Sequence, residues 1–431
     1  MKVAYLNYSL DRGGATIAAR RIFQSVIRHG ASPHFFANHA SNGMPSKQSE
    51  NEHLASGKFA RAGTLLRHAV DKSLALLETG QINEPRSYGL LPSVWPERVN
   101  RLNTDVVHLH WINGGMLGIE DLRRFDAPIV WTFHDAWPVL GSAHYPETWT
   151  SSGLLRGART DDPENTAPLS RWIKRKKKRA WDLSINVVAP SRWMAEQVQG
   201  SELAANWSVH WIPNPIDIET WRPLNREAAR ERHGISSNDA VVLFGAANSS
   251  RDSRKGLDLL LHALHPLQDR VQSIKLVVFG AEDDEWRQGL PYPVRSLGVL
   301  ANSHELAEAY SMADVFVIPS RIDNLPNTGL EALACGTPIV AFDVGGLSDI
   351  VDHRVTGYLA TPFESEDFRH GIEWVLEGAN DQASIDDRNS LERFYVRQSD
   401  LALAARQKAV RDFSLDIVGK SYVHTYLDLV N

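Results

Sequence analysis

Between Ala313 and Phe342 the chain passes from one apolar run to another through a polar loop and a helical pattern, an order of elements that leaves few folds open. Ala313-Asp314-Val315-Phe316-Val317-Ile318-Pro319-Ser320 reads as a buried parallel strand ending at a turn, and Ile339-Val340-Ala341-Phe342 as the next strand. The intervening Asp323-Asn324-Leu325-Pro326-Asn327-Thr328-Gly329-Leu330-Glu331 sets two carboxylates eight residues apart where strand gives way to helix. Open α/β sheets bind ligands at such strand ends. Thr328-x-x-Glu331 also fits a capping box, in which Glu331 closes the helix N-terminus. A cap and a ligand contact are compatible.

The same alternation recurs, the mark of βαβ units and parallel sheets. Lys2 to Asn7, Val106 to His110, Ile129 to Phe133 and Asn186 to Ala189 read as strands of a first series, and Ala240 to Gly245 and Lys275 to Gly280 as strands of a second. Helical patterns run through Ala18, Ile22 and Val26, through Leu65, Ala69, Leu74 and Leu77, and from Leu257 to Leu264. A chain of 431 residues exceeds one compact core. Two prolines break the apolar run Trp211 to Asp217, so the expected domains are 1–212 and 213–410, with 411–431 as a last helix carrying Ile417, Tyr422, Tyr426 and Leu429 at amphipathic spacing. Outside its one helix the segment 40–90 reads as polar loop, and Ser142 to Asn165 as a surface excursion.

No run reaches the roughly 18 apolar residues of a membrane span, and Met1-Lys2 leads straight into a strand pattern, which points to a cytoplasmic protein. The single Cys335 offers neither an internal disulfide nor a cysteine metal cluster and reads as a small buried residue. A formal charge of −6 argues against nucleic acid as a partner. The basic stretch Arg171 to Arg179, flanked by Trp172 and Trp181, fits a solvated helix face or a patch for an anionic membrane surface.

Several groups could carry chemistry. Arg251-Asp252-Ser253-Arg254-Lys255-Gly256 stands between a strand and a helix, so its cations and the helix N-terminus could converge on phosphate. Gly13-Gly14 would let backbone N–H groups approach a phosphate or sugar, or make a tight turn only. It departs from G-x-G-x-x-G, which counts against a nicotinamide dehydrogenase. His134-Asp135 follows a strand end, and His108, His110 and Trp111 end the neighbouring strand, where packing and acceptor contact are both open. No Asp-x-Asp at a strand end and no His/Cys ligand spacing points to a metal, and no cofactor is expected.

The 323–338 segment resembles the donor-site signature of retaining GT-B glycosyltransferases of family 4: Glu, seven residues, Glu, then Ala-x-Ala-x-Gly-x-Pro, with Asp323 at the first acidic position. The resemblance extends over nearly the whole chain. It implies two Rossmann-like domains facing across a cleft, the second holding a nucleoside diphosphate sugar, the first the acceptor, and a terminal helix crossing back. It gives Glu331 the ribose hydroxyls, Asp323 and His134 the transferring sugar, Lys255 the diphosphate, and Gly298-Val299-Leu300 the base through backbone groups. Where the family has its arginine this chain has Ser249 and Ser250, so Arg251 or Arg254 is the expected replacement. His144-Tyr145 is similar to a loop in a bacterial polysaccharide branch, which makes His110, Trp111, His144 and Tyr145 acceptor candidates. The implied activity is metal-independent hexose transfer from a UDP- or GDP-sugar to a saccharide, lipid-linked in surface polysaccharide synthesis. The alternatives are a soluble glycogen- or sucrose-type synthase, an epimerase of the same fold, and a non-catalytic saccharide-binding protein.

Overall fold

The computed structural model describes residues 1–40, 51–54, 58–80, 86–146, 167–245, 252–269, 271, 273–280, 290, 293–300, 302–376 and 388–430. Among these, one unit comprises the chain through Pro215 together with Leu415 onward, and the other runs from Ile216 to Ser414.

In the first unit the elements are β1 (Lys2–Leu6), α1 (Gly14–Ile27), β2 (Ser32–Ala37), β3 (Glu52–Leu54), α2 (Lys58–Thr79), α3 (Trp95–Asn100), β4 (Val106–Leu109), β5 (Ile129–Thr132), α4 (Pro168–Ala180), β6 (Ile185–Ala189), α5 (Arg192–Gln199) and β7 (Ser208–Trp211). The strands pair in parallel in the order β3-β2-β1-β4-β5-β6-β7. Strands β4, β5 and β6 are buried along their whole length, because helices cover both faces of a parallel sheet.

The second unit holds α6 (Arg226–Arg232), β8 (Ala240–Gly245), α7 (Leu257–Leu264), β9 (Ile274–Phe279), β10 (Val294–Ser296), α8 (Ser303–Met312), β11 (Val315–Ile318), α9 (Asn327–Ala334), β12 (Ile339–Phe342), α10 (Leu347–Ile350), β13 (Gly357–Ala360), α11 (Ser365–Leu376) and α12 (Arg388–Phe413). Its six parallel strands run β10-β9-β8-β11-β12-β13. The fully buried Asp314 fastens β11 to β8: its carboxylate accepts from Val241 N (2.7 Å) and from Arg230 Nη2 (2.7 Å). Cys335 is buried at the C-cap of α9.

The last helix, α13 (Leu415–Val430), packs in the first unit against α1. Gly419 permits the close approach, since a Cβ there would lie 2.6 Å from Ser25 O. Val418, Tyr422 and Tyr426 point inward, whereas Ile417, expected on that stripe, is 45% exposed. It lies about 100° round the helix from Val418.

Three further expectations are corrected. The opening of the supposed surface excursion, Ser142 to His144, is buried; residues 147–166 lie outside the described set. Lys177, in the basic stretch, is fully buried, its Nζ donating to the carbonyls of Trp137 (2.5 Å), Leu140 (3.1 Å) and Gly141 (2.7 Å) and lying 3.6 Å over the Trp137 ring. Three acceptors match the three N–H bonds of an ammonium. Helix α2 reverses the usual amphipathic order: Leu65, Leu66, Leu76 and Leu77 are exposed while Asp71 is buried. Among the described residues no helix is long and apolar enough to cross a membrane.

Tyr426 couples α13 to the sheet, because its Oη is 2.6 Å from Tyr5 Oη and 2.7 Å from His108 Nδ1. Tyr426→Phe leaves two buried polar atoms without that partner and should cost about 1–3 kcal/mol in urea unfolding. An unchanged midpoint would contradict this coupling.

Candidate active site

In the second unit the strand order reverses between β8 and β11, so the chain leaves these neighbours in opposite directions and opens a crevice at their C-terminal ends. The loop before α7 and the loop after β11 meet there. Gly256 adopts φ 64°, and a Cβ on it would sit 1.9 Å from Pro319 O, so a side chain would force the loops apart. Arg321 N donates to Arg254 O (2.7 Å), and the Arg321 guanidinium holds Ser253 O (2.9 Å) and the Asp258 carboxylate (2.8 and 2.6 Å). On this base Lys255 Nζ lies 2.7 Å from Asp323 Oδ2. Gly346 N donates to Asp323 O (2.9 Å), fixing the carboxylate's backbone. A part-exposed ion pair contributes only ~0–1 kcal/mol, so the pairing positions charge more than it stabilises the fold.

Glu331 stands inside α9, 5% exposed, with the Tyr310 hydroxyl 3.2 Å from its Oε2. The capping-box reading fails, because α9 begins at Asn327 after an N-cap at Pro326 and Thr328 is already helical. Arg254 is held by Asp252 through two contacts of 2.8 and 2.6 Å, a geometric pairing two residues away. Arg251 lies outside the described residues. Gly298, at φ 65°, turns the chain after β10, its carbonyl accepting from Gly280 N (2.7 Å), and leaves Val299 64% exposed before Leu300.

The first unit repeats the reversal between β1 and β4. Asn7 ties the two exits, accepting from Trp111 N (3.1 Å) and donating to Thr16 Oγ1 (2.9 Å). Gly13, at φ 91°, is the N-cap of α1 and brings no side chain to it, with Gly14 as the first helical residue; no acid stands in the first turn of the helix. One face of the sheet carries a row of buried polar rings. His108 Nε2 meets Thr132 Oγ1 at 2.8 Å and, two residues further along each strand, His110 Nδ1 meets His134 Nε2 at 3.0 Å. Tyr422 Oη lies 3.1 Å from Thr132 Oγ1 and Tyr426 reaches His108, so α13 closes the row from above. Burial strips hydration from the imidazolium forms. It pushes His134 down to about 4 and His108 and His110 well below the usual histidine range.

Asp135 anchors the loop after β5. Its carboxylate accepts from Trp111 Nε1 (2.9 Å) and Trp137 N (3.0 Å) and lies 2.6 Å from His144 Nδ1. Burial alone would raise this carboxyl, but His144 and these bonds hold it below the ordinary range. His144 Nε2 meets Ser87 Oγ at 2.9 Å. His144 and His110, expected to meet an acceptor, are therefore interior residues that orient others, 3% and 2% exposed. Trp111 and Tyr145 remain partly exposed at this edge. Tyr5, Thr132 and Lys177 escaped sequence reasoning, and Tyr422 and Tyr426 were legible only as an amphipathic stripe; the period-2 pairs His108/His110 and Thr132/His134 were the available signal for a shared face. Among the described residues no group of three or more His, Cys, Asp or Glu side chains could hold a metal ion.

Two Rossmann-like units with crevice residues at each strand reversal define the GT-B fold. Residues 12–220 match the family described as Glycosyltransferase Family 4, and residues 225–391 the family described as Glycosyl transferases group 1. The chain is 28% identical over 380 residues to D-inositol 3-phosphate glycosyltransferase of Xylanimonas cellulosilytica, covering 81% of this chain and 80% of the relative. Sucrose-phosphate synthase of Thermosynechococcus elongatus superposes with a TM-score of 0.67 at 17% identity over 99% of this chain and 98% of that one. HepE of Anabaena, in complex with UDP-glucose, gives 0.62 at 18% identity over 100% of both chains. The protein belongs to the group 1, family 4 glycosyltransferases.

Two outcomes follow from this geometry. Gly256→Ala should destabilise the second unit by about 2 kcal/mol or more, because both the positive φ and the Pro319 carbonyl oppose a Cβ; urea denaturation followed by Trp fluorescence reads it. The pH dependence comes from the imidazole row. With folded pKa values below 6.5, the unfolded chain binds more protons as pH falls from 6.5 toward about 4. Stability is full above 6.5 and drops below it by up to about 1.4 kcal/mol per pH unit for each such histidine. Asp71, raised to about 6 by burial, works in the opposite direction but is one group against three. Stability that holds or rises between pH 6.5 and 5 would contradict the assignment.

Proposed function

We propose that this enzyme transfers a hexose from a UDP-sugar to a hydroxyl acceptor with retention of anomeric configuration. The observation that carries the reading is the paired Lys255 and Asp323 on loops locked together at the β8/β11 reversal, with Glu331 one helix turn and more beyond. The ammonium of Lys255 stabilises the leaving diphosphate, as a fixed positive charge does for developing anions. Asp323 and His134 position the sugar, Glu331 holds the ribose, and Gly298 to Leu300 hold the base. Arg251 and Arg254 assist at the diphosphate, Arg254 after exchanging Asp252 for phosphate. Gly13 and Gly14, at the start of α1, bring backbone N–H groups to donor or acceptor oxygens. Same-face attack through a short-lived oxocarbenium-like ion pair lets the departing diphosphate take the acceptor proton, so no enzymic nucleophile and no metal is needed. The complex of HepE with UDP-glucose supports UDP over GDP.

For the acceptor, the relatives named for D-inositol 3-phosphate and sucrose phosphate support a small phosphorylated polyol or sugar. A lipid-linked saccharide at a membrane surface is the second reading, favoured by the exposed leucines of α2. The basic stretch favours it less: Lys177 is buried, and Lys176 and Lys178 pair with Glu120 and Glu202.

Nucleotide release from UDP- and GDP-sugars, with inositol phosphates, hexose phosphates or lipid extract as acceptors and with or without chelator, tests both readings. UDP-sugar turnover that survives EDTA is expected. Lys255→Ala and Glu331→Gln, the latter keeping an acceptor for Tyr310, should fold normally and lose about 10²-fold or more of that turnover. Normal turnover in either would remove the donor assignment, and conversion of donor without acceptor would favour an epimerase.

A further inference from the structure

Besides the 3.0 Å contact between His110 Nδ1 and His134 Nε2, their rings stack at 5.3 Å and 22°. Both imidazoles are neutral at pH 7, since burial depresses both, so each carries one ring proton. One of the two facing nitrogens donates and the other accepts. Were His134 Nε2–H the donor, His110 would carry its own proton on Nε2. That atom is buried and has no hydrogen-bond partner among the described residues. A buried N–H without an acceptor loses its hydration with nothing in return, and such orphan donors are rarer than under-used acceptors. In the opposite arrangement His110 Nδ1–H donates to the bare His134 Nε2, and the orphaned atom is only a lone pair. The ring has little freedom to escape this choice: Tyr5 stacks on it at 5.3 Å, His108 lies 4.2 Å away, and Trp131 Nε1 donates to the His110 carbonyl at 3.0 Å.

We propose that His110 is a positioning residue that donates from Nδ1 to His134 and thereby holds His134 in the tautomer protonated on Nδ1, so that His134 acts in glycosyl transfer as a hydrogen-bond donor and not as a base. The role in transfer rests on His134 facing the sugar, as proposed above; the tautomer does not. Ring protons are assigned from partners, so the direct observation is spectroscopic. In full-length protein labelled with ¹⁵N-histidine at pH 7, correlation of ring carbon-bound protons with ring nitrogens should show Nδ1 protonated and Nε2 bare in both residues, with His134→Gln and His110→Phe supplying the assignments. His110→Phe should turn His134 into a mixture of tautomers and lower kcat about tenfold with little change in donor KM. A wild-type His134 protonated on Nε2 overturns the proposal, even if the variant fails to fold. So does a His134 that keeps its Nδ1 proton and full kcat in His110→Phe. Absence of turnover with every nucleotide sugar, beside the expected spectrum, would defeat the donor reading alone.

Discussion

The close approach of Gly256 to the Pro319 carbonyl is the contact on which the candidate donor site depends. Parallel pairing of β8 with β11 brings two strand ends side by side, but it does not by itself fix the loops that follow. The missing side chain at 256 lets one loop sit down on the other, and Arg321 then clamps both. Only on that platform do a lysine and a carboxylate 68 residues apart in sequence face each other. The ion pair is too exposed to hold the loops together energetically. Steric fit and backbone hydrogen bonds do that, leaving the charges available for chemistry.

The first unit solves a different problem, that of keeping polar rings in a buried layer. Tyr5, His108, Thr132 and the two tyrosines of α13 satisfy one another through hydroxyl and ring-nitrogen contacts of 2.6 to 3.1 Å. Networks of this kind stabilise when complete and are costly when broken. The last helix is therefore part of the support for His134, although it stands nearly 300 residues away in sequence. Burial also fixes charge state, because an imidazolium in this layer would lose its hydration.

The alternation of strands and helices, the strand ends that carry the site and the acidic pair were legible in the sequence because strand runs and turn residues are local signals. Side-chain direction was less legible. A run of six cations between Lys174 and Arg179 suggests a wetted face, yet Lys177 turns inward because three carbonyls and an indole await it. The leucines of α2 suggest an inward stripe, yet the helix is held by Arg67, which donates to Gly115 O, and by Asp71, so the leucines face out. His144 stands at the start of a polar stretch and reads as a contact residue, yet it supports Asp135 from within. In each case a partner distant in sequence decided the outcome, and no local period encodes it. Strand β2 was missed for the opposite reason: Ser32-Pro33-His34 carries a proline and polar residues at its start.

A crystal structure of the protein with UDP tests the central claim most directly. The account predicts diphosphate oxygens within hydrogen-bonding reach of Lys255 Nζ, about 2.7–3.2 Å, with the ribose hydroxyls turned toward the carboxylate of Glu331. Nucleotide bound elsewhere in the second unit, with the Lys255–Asp323 pair undisturbed and its surroundings free of phosphate, would contradict it.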